Sequence, residues 1–176
     1  MGKNIDLMNM PSADVREIIK NMPNHMAFLE QAEELVRANP GKTLVLFRGD
    51  MWRFKAVNDD YGYDAGDRAI AAFYSAITAA IDKLEPKGVA GRVEGDEFIG
   101  AFLAEKAEAE VIIKEIVAEY ADSEIEGVPK TALGCRFGCV AGKFSVGELR
   151  IKEQLTVDMV EEARRLGKDS VYIQNV

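Results

Sequence analysis

Two carboxylates, Asp96 and Glu97, follow a glycine inside the stretch Arg92-Val93-Glu94-Gly95-Asp96-Glu97-Phe98. Apolar segments flank it at residues 89–93 and 98–103, so it reads as the tight turn of a β-hairpin. Acids at a hairpin tip add little to a core, but they can hold a hard cation against a phosphate. Asp50 is the acid that would match them. The run Thr43-Leu44-Val45-Leu46-Phe47, between Gly41 and Gly49, suits a strand covered on both faces and delivers Asp50 at or just past its C-terminal end. If the two strands are neighbours, Asp50 and Asp96 converge at one sheet edge. Paired oxygen ligands with open positions are what Mg²⁺ takes when it also binds substrate phosphates. Two solvated turn acids are the equal alternative.

Other side chains nearby extend the chemistry. Lys55 could meet phosphate oxygens. Asn58 and Asp67 could read guanine, whose base-pairing edge offers two adjacent N–H donors that adenine lacks. Taken singly, each is more often a surface residue. His25, the one histidine, falls near a helix start, where capping or surface exposure is the expectation rather than catalysis. Cys135 and Cys139 share one face of a strand with Phe137 and lack zinc-ligand spacing, so they are expected as core thiols.

The elements that must position these groups follow from periodicity. A helix starts at Pro11-Ser12-Ala13-Asp14, with Val15, Ile18 and Ile19 on one face. After a turn at residues 21–24 a second helix carries Met26, Phe28, Leu29, Ala32 and Leu35 inward and stops at Asn39-Pro40-Gly41. Residues 51–59 suit a short helix, 60–67 a loop, and 66–84 a long helix with Ile70, Phe73, Ile77, Ile81 and Leu84 as its stripe. Beyond the hairpin come a helix at 105–121 burying Val111, Ile112, Ile116 and Val117, and a strand at 131–141. A helix at 157–166 and a last strand at 170–173 close the chain. Helices between strands, with one clear hairpin, indicate an α/β (α+β) sandwich around a mixed, mainly antiparallel sheet.

The whole chain sets limits on partners. Its 176 residues suggest one domain, taken as residues 11–176 with 1–10 as an arm or linker remnant. Hydrophobic residues make up 48%, enough for a full core. A formal net charge of −8 disfavours a nucleic-acid polymer or an anionic membrane as partner, yet leaves room for a small phosphorylated ligand. No run reaches the roughly 18 apolar residues of a membrane span, and the first residues lack a signal-peptide pattern, so a cytoplasmic protein is expected.

Taken together, Asp50-Met51-Trp52-Arg53-Phe54-Lys55-Ala56-Val57-Asn58-Asp59, Tyr61-Gly62-Tyr63-Asp64-Ala65-Gly66-Asp67 and Glu94-Gly95-Asp96-Glu97-Phe98 resemble, in order and spacing, the GGDEF domain of diguanylate cyclases. Upstream, Asn21-Met22-Pro23-Asn24 looks like that family's Gly-Leu-Pro-Asn entry turn. Downstream, Asp158 followed by Ala163-Arg164-Arg165-Leu166-Gly167-Lys168 is similar to its closing Ala-Lys-x-x-Gly-Arg helix end. The resemblance covers roughly residues 15–175. It implies a palm-like βααββαβ fold and condensation of two GTP into cyclic di-GMP with release of pyrophosphate. It implies Mg²⁺, with Mn²⁺ as a substitute, on Asp50, Asp96 and the main-chain carbonyl of Met51. It implies guanine on Asn58 and Asp67, Gly95 in the substrate-binding turn, and Lys55, Arg164 and Lys168 facing phosphates. Asp96 or Glu97 would activate the attacking 3′-hydroxyl. Each GTP attacks the other, so a second such domain must face the first with twofold symmetry. The resemblance also implies an upstream sensor domain.

This chain departs from the family pattern in ways that bear on activity. Glu94 replaces the first glycine of the signature. If its charge points toward a triphosphate, at about 5 Å and an effective dielectric near 20 it would cost about 3 kcal/mol per pair, whereas a side chain turned to solvent would cost almost nothing. Trp52 replaces a usual aspartate, and Arg53 a commonly aromatic or histidine position. Arg164 and Lys168 exchange the usual Lys and Arg, whose geometries differ. Glu85-Pro86-Lys87-Gly88 stands where the family's Arg-x-x-Asp product-inhibition site would be, so no feedback by cyclic di-GMP is expected there. A catalytically degenerate domain, binding GTP or a protein partner, is the alternative to an active cyclase.

Overall fold

A computed structural model describes residues 7–176. Its elements in chain order are α1 (Ser12–Lys20), α2 (His25–Ala38), β1 (Leu44–Met51), α3 (Phe54–Tyr61), α4 (Tyr63–Ile81), β2 (Val89–Glu94), β3 (Glu97–Leu103), α5 (Lys106–Ala121), β4 (Cys135–Gly142), α6 (Leu149–Leu166) and β5 (Val171–Asn175). The strands form one sheet in the order β2-β3-β1-β4-β5. All neighbours are antiparallel except β4 and β5, so the sheet is mixed and mainly antiparallel.

Strand alternation sorts side chains onto two faces. Val45, Phe47, Phe98, Phe102, Phe137 and Cys139 join α1, α4 and α5 in one apolar core. Leu44, Leu46, Ile99 and Val140 join α2 and α6 in the other. Both cysteines are free and buried, as expected of core thiols. β1 is central, buried at every position, and so carries Asp50 into the middle of the sheet's end.

Several expectations shift. The long helix begins at Tyr63, not 66, because Gly62, with φ 89°, makes the whole turn from α3 into α4. The expected loop at 60–67 is therefore almost all helix. Helix α6 starts at Leu149, earlier than 157, its early turns burying Leu149, Glu153 and Thr156. Residues 130–132 form a 3₁₀ turn, and the strand begins only at Cys135. Met26 and Val111, expected inside, are exposed, and Ile113 takes the buried place on α5. Asn24, not His25, caps α2, its Oδ1 accepting from the Ala27 N–H at 2.9 Å. Of the expected arm, residues 1–6 lie outside the described residues. Leu7 is buried, and its carbonyl and that of Met10 accept from Arg68 of α4.

Candidate active site at the sheet end

Asp50 is the penultimate residue of β1 and is 4% exposed. The register sets Glu97 of β3 opposite it on one side and Arg136 of β4 on the other. These residues project from the α2/α6 face, one step beyond its apolar core. The hairpin joins on directly, since the Met51 N–H donates to the Asp96 carbonyl at 3.3 Å. Asp50 and Asp96 thus come together at one sheet end, as expected of neighbouring strands, with Glu97 beside them.

The hairpin turn takes its shape from glycine. Glu94 pairs with Glu97, leaving Gly95 and Asp96 as the loop. Gly95 has φ 52°, as the first position of a two-residue hairpin turn demands. Glu94 itself is not in the left-handed region and is exposed, so glycine is not required there by the backbone. Arg92 braces the turn through two bonds to the Gly95 carbonyl, from Nε at 2.8 Å and Nη2 at 2.5 Å.

Arginines bind the acids together. Asp50 Oδ2 accepts from Arg136 Nη2 at 2.5 Å and Oδ1 from Arg164 Nη2 at 2.8 Å. Arg164, at the end of α6, also lies 3.6 Å from Glu97 Oε1 and pairs with Glu161. Its bond to Asp50 raises its already high pKa. Arg48 of β1, buried, reaches Glu97 Oε2 at 3.3 Å, Glu153 Oε1 at 2.5 Å and Thr156 Oγ1 at 3.5 Å. Glu153 then faces His25 Nε2 at 3.6 Å. Burial pushes the Asp96 carboxyl up, and the charges of Asp50 and Glu97 add to this, against its own backbone hydrogen bond and Arg164.

The base-reading candidates lie on α3 and α4. Arg53, with φ 48°, turns the chain out of β1 into α3. Asn58 packs against Gly66 so closely that a Cβ there would stand 1.8 Å from its Oδ1. That contact fixes the amide beside Asp67, the next residue of α4. Asp67 and Asp96 both act electrostatically on Arg92, placing the guanine candidates on the hairpin side. Lys55 is exposed. Lys168 lies at the same end but donates to the Thr131 carbonyl at 3.0 Å, with its stem over Gly134.

The donor chemistry fits a small hard cation. Among the described residues no three His, Cys, Asp or Glu side chains form a preassembled metal cluster. Mg²⁺ needs none, because it is commonly held by one or two carboxylates together with substrate phosphates. Asp50, Asp96 and the Met51 carbonyl supply oxygen donors of that kind.

Sequence reasoning passed over Arg48, Arg136 and Glu153. Two of them left a signal: Arg48 interrupts the strand most deeply buried, and Arg136 alternates with core residues 135, 137 and 139. Glu153 is silent until α6 is seen to begin before it. Trp52 also gains a partner, since the Arg136 guanidinium lies 4.9 Å from its ring centroid.

Comparison with known proteins agrees with the fold. Residues 19–153 match the family described as diguanylate cyclase, GGDEF domain. The cyclic di-GMP phosphodiesterase PdeB of Shewanella oneidensis is 33% identical over 103 residues, which cover 57% of this chain and 11% of that protein. The chain therefore spans only a small part of this relative's length. The GGDEF domain of DgcB from Caulobacter crescentus, solved in complex with c-di-GMP, superposes with a TM-score of 0.75 at 22% identity, covering 87% of this chain and 91% of that one. The diguanylate cyclase SiaD of Pseudomonas aeruginosa, solved with its activator SiaC, gives 0.70 at 21% identity over 92% of this chain and 66% of that one. At such identities the two structures establish the fold.

Proposed function

The chain belongs to the GGDEF domain family, and we propose that it is a diguanylate cyclase, condensing two GTP into cyclic di-GMP and pyrophosphate. The observation that carries this reading is the meeting of Asp50, Asp96 and Glu97 at one strand end, beside Arg164.

In this reading Asn58 and Asp67 accept and orient the guanine edge, the amide held in place by its contact with Gly66. Lys55 and Arg164 meet the phosphates, and Lys168 does so after leaving the Thr131 carbonyl. Asp50, Asp96 and the Met51 carbonyl would hold Mg²⁺, or Mn²⁺, which when bound polarises the phosphoryl oxygens. Asp96 or Glu97 takes the proton from the attacking 3′-hydroxyl. One domain holds one GTP, so the reaction needs a second copy facing the first in a twofold dimer. An upstream sensor would control that pairing, and the reaction is assigned to the cytoplasm.

Specific observations favour a second reading, a GTP-binding or protein-contact regulatory module. Both oxygens of Asp50 are occupied by guanidinium groups, and Glu94 adds a charge to the signature turn. The test is to fuse the chain to a dimerising helix, supply GTP and Mg²⁺, and measure cyclic di-GMP by chromatography. Product is expected, with a rise in Glu94→Gly of up to about a hundredfold in affinity-limited conditions. GTP binding without product in either protein would replace the cyclase reading by the regulatory one.

A further inference from the structure

Asp50 is shared by two arginines that differ in freedom. Arg164 is 35% exposed by side chain, sits at a helix end, and has Glu97 and Glu161 as other partners. It can leave Asp50 at small cost. Arg136 is held on all sides. Its side chain is 14% exposed, its strand register places it directly across from Asp50, and the ring of Trp52 covers its guanidinium. Its Nε is buried without a hydrogen-bond partner, so Asp50 is the only acid it bonds among the described residues. Leaving Asp50 would strand a mostly buried charge.

From this asymmetry we propose that Arg136 is a built-in counter-ion of Asp50 that competes with the divalent cation, so that the cation is taken up together with the nucleotide phosphates and hardly at all before them. The proposal rests on the reading of Asp50 as a cation ligand and adds Arg136 as the residue that sets the metal requirement. A cation arriving alone meets a carboxylate whose charge is already balanced, with a fixed positive group beside it. A cation arriving on a triphosphate brings negative charge that Arg164, once released from Asp50, can face. Trp52 then has a definite part, because its ring keeps the Arg136 guanidinium in place.

The test measures Mn²⁺ binding to the full chain by electron paramagnetic resonance and calorimetry, without nucleotide and with a non-hydrolysable GTP analogue. In the wild type the analogue is expected to tighten Mn²⁺ binding by about tenfold or more. Arg136→Ser and the bulkier Arg136→Gln are expected to give a similar gain without nucleotide. Adding Asp50→Asn should abolish that gain. Equal Mn²⁺ affinity with and without the analogue in the wild type overturns the proposal, whether or not the variants fold. So does a folded Arg136 variant that binds Mn²⁺ no better than wild type, or a gain that survives Asp50→Asn. Failure of the cyclase reading shows separately, as absence of cyclic di-GMP with these metal readings unchanged.

Discussion

The two faces of the sheet bury their contents by different means. On the α1/α4/α5 side, Phe73 touches Phe98, Tyr120 and Phe137 at centroid distances of 5.1, 4.8 and 5.6 Å, and Phe47 adds Phe102 and Phe137. Among the described residues no charge enters that aromatic cluster, and the buried charge on this side, Arg68, lies near the start of α4 against the Leu7 and Met10 carbonyls. On the α2/α6 side the apolar packing gives way, toward the strand ends, to Arg48, Glu153, Thr156, Glu97, Asp50 and Arg136 joined by hydrogen bonds and ion pairs. The aromatic side gains stability from area and contact. The ionic side carries a desolvation cost that its pairs only roughly offset. One face holds the domain together, and the other positions the groups of the candidate site.

The largest effect that would break this contrast is on the aromatic face. Phe73→Ala is expected to destabilise by about 4 kcal/mol. For a domain of this size that lowers the melting temperature by about 10 °C, read by calorimetry. A loss of under 1 kcal/mol would show that the aromatic cluster is not the main support.

On the ionic face, Glu153→Ala leaves Arg48 buried with Glu97 alone and is expected to cost about 3 kcal/mol. The double variant Arg48→Met with Glu153→Met should recover most of that stability, since an apolar pair of similar volume removes the desolvation cost. If the double variant is as unstable as the single one, the network is a structural support and the two faces are alike.

The smallest effect concerns Asp96. Its pKa is raised in the folded state, mainly by burial, so the protonated form is favoured by folding. Its contribution to stability is then fully present below the ordinary aspartate range and lost as pH rises through the raised value. Asp96→Asn should therefore melt slightly higher than wild type at neutral pH. The difference should disappear in acid, where wild-type Asp96 is protonated. A melting difference that stays constant from acid to neutral pH would show that the carboxyl is not perturbed.

Much of the molecule could be read in advance where the signal is local. The hairpin around Gly95 depends on a few adjacent residues, and the stripe of α4 on regular spacing. The acids of the site were legible because turn residues and strand ends leave punctuation. What escaped depends on partners distant in the chain. Glu153 and Thr156 lie before the helix expected at 157–166, and their role shows only when Arg48, more than a hundred positions earlier, is placed beneath them. Met26 and Val111 carry apolar side chains at helical spacing, yet both are exposed among the described residues, and a single stripe cannot reveal that. Residues 60–67 read as a loop because Gly, Asp and Tyr crowd there, whereas one left-handed glycine makes the whole turn. Arg136 was visible as an odd charge between core residues, but only the register with β1 aims it at Asp50.

The entry turn has a consequence of its own. The Pro23 carbonyl accepts from the Arg92 N–H at 2.8 Å, and Asn24 bridges to Arg92 in parallel fashion. A Cβ on Gly91 would come within 2.7 Å of that same carbonyl. The outer edge of β2 beside the hairpin is thus already occupied by the chain's own backbone. An exposed strand edge invites another chain to add to the sheet, and here that invitation is withdrawn beside the hairpin. A second chain therefore cannot extend the sheet through this stretch of β2 without first displacing the entry turn.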